Sequence, residues 1–265
     1  MKSGLAVNGA AGRMGKRILA FAVEEGLFSV VAATEHPRHP DMGKDAGILA
    51  GIESLNVPLT ANLPRKADVM IDFSLPEAAE TTITHCRDNG IALVLGTTGL
   101  SKSHFDLLNS AASKIAIVQA TNMSLGMNLL FALVGKVAKS LGEEYDIEIV
   151  EAHHRFKKDA PSGSALSLAE SICKETGRSY PECIINGRQG KDALRKKGEI
   201  GMHAVRAGDI IGQHSVIYST LGETVTIAHN AHTRDTFARG AVRAAGWVVA
   251  QKPGLYSMRD VLGLD

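Results

Sequence analysis

The sequence predicts an α/β protein in two parts: a doubly wound parallel sheet, then a C-terminal α+β domain on a mixed or antiparallel sheet. Three observations carry this expectation. Up to residue 124, short apolar runs of strand length alternate with segments whose apolar residues recur at helical spacing, the pattern of a parallel sheet covered on both faces. Beyond residue 141 the runs alternate apolar with polar residues and are separated by short turns, as half-exposed antiparallel strands are. The chain's 265 residues, 45% of them hydrophobic, can bury one large core or two modest ones.

Residues 4–8 (GLAVN) read as a buried strand that opens into Gly9-Ala10-Ala11-Gly12-Arg13-Met14-Gly15. The following helix puts Ile18, Leu19, Ala22 and Val23 on one apolar stripe. Glycine lets the backbone approach a pyrophosphate, and a helix N-terminus favours its charge, so strand, turn and helix form a dinucleotide-phosphate cradle. The spacing is GxxGxxG, a variant of the commoner GxGxxG. A second strand, 28–34, ends at Glu35, about twenty residues past the glycines, where a carboxylate can hold the adenosine ribose hydroxyls. The N-terminal domain is therefore expected to be Rossmann-like.

Alternation continues with a strand over 68–73, a helix over 76–89 with proline in its first turn, and a buried strand over 91–95. That strand leads into Gly96-Thr97-Thr98-Gly99. A helix over 101–113 and a strand over 115–118 follow, ending in Ala120-Thr121-Asn122-Met123. Ligands bind at the carboxyl ends of parallel strands, and these loops fall on that edge.

A long helix over 125–141 precedes a strand, 145–150, with Ile147 and Ile149 on one face. Then comes the stretch EAHHRFKKDAPSGSA, residues 151–165. Helical spacing of Ala165, Leu168, Ala169, Ile172 and Cys173 starts a helix near Ser162. Free N–H groups at that start favour anions, and His153, His154, Arg155, Lys157 and Lys158 add proton donors and charge. The combination suits a small carboxylate-bearing substrate that must also receive protons. No metal site is expected: adjacent residues of an extended chain point to opposite faces, so His153 and His154 cannot readily share an ion. Alternating runs at 202–206, 210–218 and 224–228 suggest an antiparallel meander, and residues 187–198 (GRQGKDALRKKG) an exposed, mobile loop. The last helical segment, 233–250, is expected to return to the first domain. The expected domains are 1–124 with 234–265 for the dinucleotide, and 125–233 for substrate and assembly.

A net charge of +1 offers no global field for nucleic acid or membrane. Three cysteines without a CxxC fit reduced thiols in a cytoplasmic protein. The uncharged stretch 115–135 contains Gln119, Thr121, Asn122, Ser124 and Asn128, which argues against a lipid-spanning helix.

With these motifs read, the sequence closely resembles the dihydrodipicolinate reductase family over nearly its whole length. The pattern E-A-H-H-x-x-K-x-D-A-P-S-G-T-A is met at 151–165, beside the GxxGxxG start and the run RAGDIIGQH at 206–214. The resemblance implies an NAD(P)H-dependent reductase of the diaminopimelate route to lysine, assembled as a homotetramer. Its substrate would be a cyclic imine with two carboxylates: loss of the 4-hydroxyl as water leaves a conjugated C=C–C=N system, which takes hydride at C4 and then a proton. The resemblance further implies that His153 is the acid/base histidine, Lys157 the proton-donating lysine, and His154 a substrate ligand. Gly163 and Ser164 would hold a substrate carboxylate, serine standing where threonine is frequent. Gly9, Ala10, Ala11, Gly12, Arg13, Met14, Glu35, His36, Gly96, Thr97, Thr98, Ala120, Thr121, Asn122 and Met123 would contact the cofactor. Some members place arginine after the acid to read the NADPH phosphate. His36 stands there in this chain, so use of both NADH and NADPH is expected. The rival readings are another two-domain dehydrogenase of amino or hydroxy acids, and a nucleotide-sensing regulator without turnover.

Overall fold

The computed structural model describes residues 2–264. They form two compact units, residues 2–125 with 235–264, and residues 126–234. In the first, β1 (Ser3–Asn8) leads through the glycine turn into α1 (Arg13–Glu24) and β2 (Phe28–Thr34). Ile18, Leu19 and Ala22 are buried with Phe21, whereas Val23, expected on the same stripe, is 41% exposed. One residue advances a helix by about 100°, which carries Val23 past the edge of the buried face. Two short elements that carry little sequence pattern follow, α2 (Ala46–Ala50), capped by Asp45, and the edge strand β3 (Leu59–Thr60). Then come β4 (Val69–Asp72), α3 (Pro76–Asn89), β5 (Ala92–Leu95), α4 (Lys102–Ala111) and β6 (Ala116–Gln119).

The second unit is built on α5 (Leu125–Leu141), β7 (Asp146–His153), α6 (Gly163–Thr176), β8 (Ile184–Asn186), β9 (Ile200–Arg206), β10 (Gly212–Thr220) and β11 (Glu223–Ala231). Its core joins Ile147 and Ile149 of β7 to Leu130 and Val134 of α5 and to Leu168 and Ile172 of α6. The buried Tyr218 donates its hydroxyl to the Val134 carbonyl at 2.7 Å, so a large ring is buried with its polar atom satisfied.

The sheet order is β11-β10-β7-β9-β8, and this corrects the expected meander. β10 and β11 do form an antiparallel hairpin, but β7 lies between β9 and β10, antiparallel to β10 and parallel to β9. The short link from Arg206 to Gly212 arches over the end of β7: the Ala207 N–H donates to the His153 carbonyl, and the Arg155 N–H to that of Gly208. Strands two apart are separated by roughly 9.5 Å, which five extended residues span easily. The basic loop 187–198 is exposed over most of its length, as expected, but two of its arginines are held. Its lysines are exposed, but Arg188 and Arg195 are pinned on Glu148 of β7 at 2.9 and 2.6 Å.

The chain then supplies α7 (Asp235–Val248), β12 (Gly254–Tyr256) and α8 (Met258–Leu262) to the first unit. Its sheet is parallel throughout, in the order β12-β6-β5-β4-β1-β2-β3. Alternate residues of each strand enter different cores. Leu5, Val7, Ile71 and Val94 pack with the alanines of α7, while Ala6, Met70, Leu93 and Leu95 pack with α3 and α4. Period-2 alternation between two apolar faces makes the strands read as continuous hydrophobic runs. The chain steps from β1 to β2 on one side and returns to β4 on the other, which places the switch in strand order between β1 and β4.

Candidate functional site

In the first unit the glycine turn leaves β1 at that switch. Gly9 has φ +74°, and a Cβ there would lie 2.8 Å from the Phe73 carbonyl oxygen. A Cβ on Gly15 would fall inside the Gly9 carbonyl, so the first turn of α1 can close on the loop only with glycine. No side chain caps α1, and its first turn carries no acid, whereas Asp45, Ser101, Ser162 and Ser257 cap other helices. Its leading N–H groups and the exposed Arg13 stay available to an anion. Glu35 lies over the same turn: its Oε2 accepts from the Ala11 N–H at 3.2 Å and its Oε1 from the His36 N–H at 2.9 Å. Beside it, a cleft of about 450 Å³ is lined by Asn8, Glu35, His36, Leu63, Leu75 and Thr82, among others.

The other predicted cofactor residues lie on the same edge. Gly96 follows β5 and lies against the Phe73 ring, with no room for a Cβ. Thr97 is buried and donates to Asp72 Oδ1 at 3.0 Å, while Thr98 is exposed. The Ala120 N–H donates to the Leu95 carbonyl, Thr121 is exposed, Asn122 accepts from the Ser124 N–H, and Met123 is buried. Sequence reasoning missed the group that holds these loops. Asp72, fully buried, also accepts from the Ser74 N–H and hydroxyl and from Asn8 Nδ2, and Asn8 in turn accepts from Thr34. A buried carboxylate needs such donors, and they come from β1, the end of β4 and the loop after β5. The uncapped helix start, the carboxylate after β2 and the cleft together fit a dinucleotide.

In the second unit β7 runs three residues beyond the expected Val150, so His153 is its last residue. Glu151 and His153, two apart on a strand, share a face. Glu151 is fully buried, accepts from Arg206 Nη1 at 2.9 Å and Nη2 at 2.8 Å and from the Ser162 N–H at 3.0 Å, and lies 2.6 Å from His153 Nδ1. Burial opposes its charge, but the hydrogen bonds from Arg206, His153 and Ser162 outweigh that and hold the carboxyl below the usual range. Burial also pushes His153 below the ordinary histidine value, which the Glu151 hydrogen bond only partly offsets. The His214 ring stands edge-on to His153 with centroids 5.2 Å apart. Its Nε2 lies 3.1 Å from Ser162 Oγ, and burial first, then the charge of His153, lowers its pKa to about 4.

Ser162 caps α6 by accepting from the Ala165 N–H at 3.2 Å. A Cβ on Gly163, the next residue, would meet nothing within 4 Å, so the helix start faces open space, with Ser164 half-buried beside it. Lys157 bonds Asp159 at 2.8 Å. His154 has a buried Nδ1 with no partner among the described residues. His153, His154, Lys157, Gly163 and Ser164 thus lie along the segment from the end of β7 to the start of α6, and Glu151 joins the two ends through His153 and the Ser162 N–H. Glu151, Ser162, Arg206 and His214 received no roles from the sequence. For Glu151, Arg206 and His214 the signal lies in strand register, where Glu151 pairs with His214 and His153 with Arg206. No group of three or more His, Cys, Asp or Glu among the described residues could hold a metal ion.

Family models described as dihydrodipicolinate reductase, N-terminus, and dihydrodipicolinate reductase, C-terminus, match residues 3–123 and 126–262. The 4-hydroxy-tetrahydrodipicolinate reductase of Halorhodospira halophila is 45% identical over 267 residues, covering 100% of both chains. That of Alkalilimnicola ehrlichii is 46% identical, again over 100% of both. Among solved structures, a dipicolinate-bound dihydrodipicolinate reductase from Paenisporosarcina sp. TG-14 superposes with TM-score 0.75 over 97% of this chain and 98% of that one, at 23% identity.

Proposed function

Since the chain belongs to the dihydrodipicolinate reductase family and is a nicotinamide-dependent reductase of 4-hydroxy-tetrahydrodipicolinate on the route to lysine, we propose the following division of labour. Residues 126–234 bind the substrate. The start of α6 receives one carboxylate on the N–H groups of Gly163 and Ser164 and on the Ser164 hydroxyl, and the unpartnered Nδ1 of His154 serves the substrate's other polar groups. The cofactor, when bound, supplies the hydride. The Lys157 ammonium, released from Asp159, donates the proton that completes reduction of the C=C bond, and its charge offsets the substrate carboxylates. His153 is the acid/base group beside it. The open helix start at Gly163, tied to His153 through the Glu151 carboxylate that meets both the ring and the Ser162 N–H, is the observation that carries this reading.

In the first unit the start of α1 takes the pyrophosphate, Glu35 the ribose hydroxyls, and the adjoining cleft the adenine. With the exposed His36 after that acid, the chain uses both NADH and NADPH. The face of the second sheet carrying Val150, Val205 and Ile217 lies outside the unit's buried core, and a homotetramer built on that face covers it.

The test follows the loss of reduced nicotinamide with freshly generated substrate, for both cofactors. His153→Gln and Lys157→Ala should each lower kcat by about 10²–10⁴ while cofactor binding is kept. Near-normal kcat in either variant removes its assigned role, and turnover with only one cofactor removes the dual preference.

A further inference from the structure

We propose that Glu151 is the positioning residue of the reaction: its buried carboxylate fixes the His153 imidazole with a proton on Nδ1, so that Nε2 is the nitrogen that exchanges protons with the substrate. This rests on the reading of His153 as the acid/base group.

The deduction starts from satisfiability. Two Arg206 nitrogens and the Ser162 N–H all donate to the Glu151 oxygens, and an ionised carboxylate only accepts. The 2.6 Å contact to His153 Nδ1 therefore requires the hydrogen on that nitrogen. In the neutral ring Nε2 is then a lone pair, and on protonation the second hydrogen goes to Nε2. Simple charge compensation would need only the bidentate Arg206. The remaining two acceptor places are spent on the proposed acid/base ring and on the Ser162 N–H at the start of α6. One fully buried group thus registers the ring against the helix start assigned to the substrate carboxylate, where misplacement by a fraction of an ångström costs rate.

Three further contacts point the same way. Gly212 carries no side chain where a Cβ would lie 3.3 Å from His153 Nε2, so that nitrogen is left uncrowded. The His214 ring stands edge-on to His153 while its Nε2 meets Ser162. Arg206 also donates to the Asp159 carbonyl at 2.6 Å, which ties the loop bearing Lys157 to the same ion pair. The charged or titratable groups around the ring are Glu151, Lys157, Arg206 and His214, and Glu151 is the anion among them.

Two measurements test the proposal. Nitrogen-15 spectra of the histidine-labelled, unmutated protein should show the neutral His153 ring protonated on Nδ1. The Nε2–H tautomer overturns the proposal whatever the variants do. Glu151→Gln should lower kcat between about tenfold and the 10⁴-fold seen for Asp→Asn in Ser-His-Asp triads, with little change in substrate KM. Glu151 raises the affinity of His153 for its proton, so the kcat/KM limb belonging to His153 should move to lower pH in the variant. Should the unpaired Arg206 prevent folding, the charge-balanced Glu151→Gln/Arg206→Gln variant is read in the same way. An unmoved limb and normal kcat in a folded Glu151 variant, with His153→Gln inactive, reject the positioning role and leave the functional reading intact. Normal turnover in His153→Gln rejects the functional reading instead, and the positioning role falls with it.

Discussion

His214 shows what burial does to a single side chain here. It is 4% exposed, and its pKa is lowered to about 4, so it folds neutral. An unfolded histidine titrates near about 6.5, so between that value and 4 the unfolded chain binds more protons than the folded one. Stability from this residue is complete above about pH 6.5 and is lost as pH falls through about 4, on the order of 3 kcal/mol in all, more than half of it gone by pH 5. His153, also lowered, adds in the same direction. The lowered carboxyl of Glu151 adds a later loss below its own unfolded value. Urea midpoints at pH 7 and pH 5 should therefore differ less in His214→Gln, which keeps a hydrogen-bonding group for Ser162 but does not titrate. Equal acid sensitivity in variant and parent would show that His214 is protonated when folded.

At the scale of the element, α6 binds at one end and is packed along its length. Ala165, Leu168, Ala169, Ile172 and Cys173 bury one stripe, while Gly163 at its start is exposed, with no atom near the position of a Cβ. Gly163→Val should therefore leave the fold intact. Its branched side chain would occupy the proposed carboxylate position and raise substrate KM by on the order of tenfold or more, the worth of one charge-assisted hydrogen bond. Substrate saturation curves check this, and an unchanged KM moves the carboxylate to another element.

At the scale of the molecule, five strands present two faces and the helices of the second unit fill only one. On the other face Val205 of β9 is 44% exposed, and Val150 of β7 and Ile217 of β10 are half-buried. A face that pairs with its own copy does so about a two-fold axis, and the proposed tetramer takes two such closures. Static light scattering at micromolar concentration should return four times the 28.1 kDa chain mass. A stable monomer would mean that the face is left to solvent.

The sequence by itself determined the elements and the chemistry of the cradle. The runs for β2, α3 and α5 match their observed bounds, and the glycine turn, Glu35 and the 151–165 stretch are all local patterns. Periods of 2 and 3.6 residues, turn glycines and helix caps are set by neighbours a few residues apart, so they can be read along a chain. Short elements such as β3, β8 and β12 were missed because two or three residues hold no period. Only the tertiary structure decided that β7 separates β9 from β10, and so that Arg206 reaches Glu151 across 55 residues. It also decided that a glutamate at the end of an alternating strand is fully buried. Strand pairing is chosen by how whole faces pack, and a carboxylate tolerates burial only where four donors arrive from three separate segments. Neither condition leaves a mark on the residues next to Glu151.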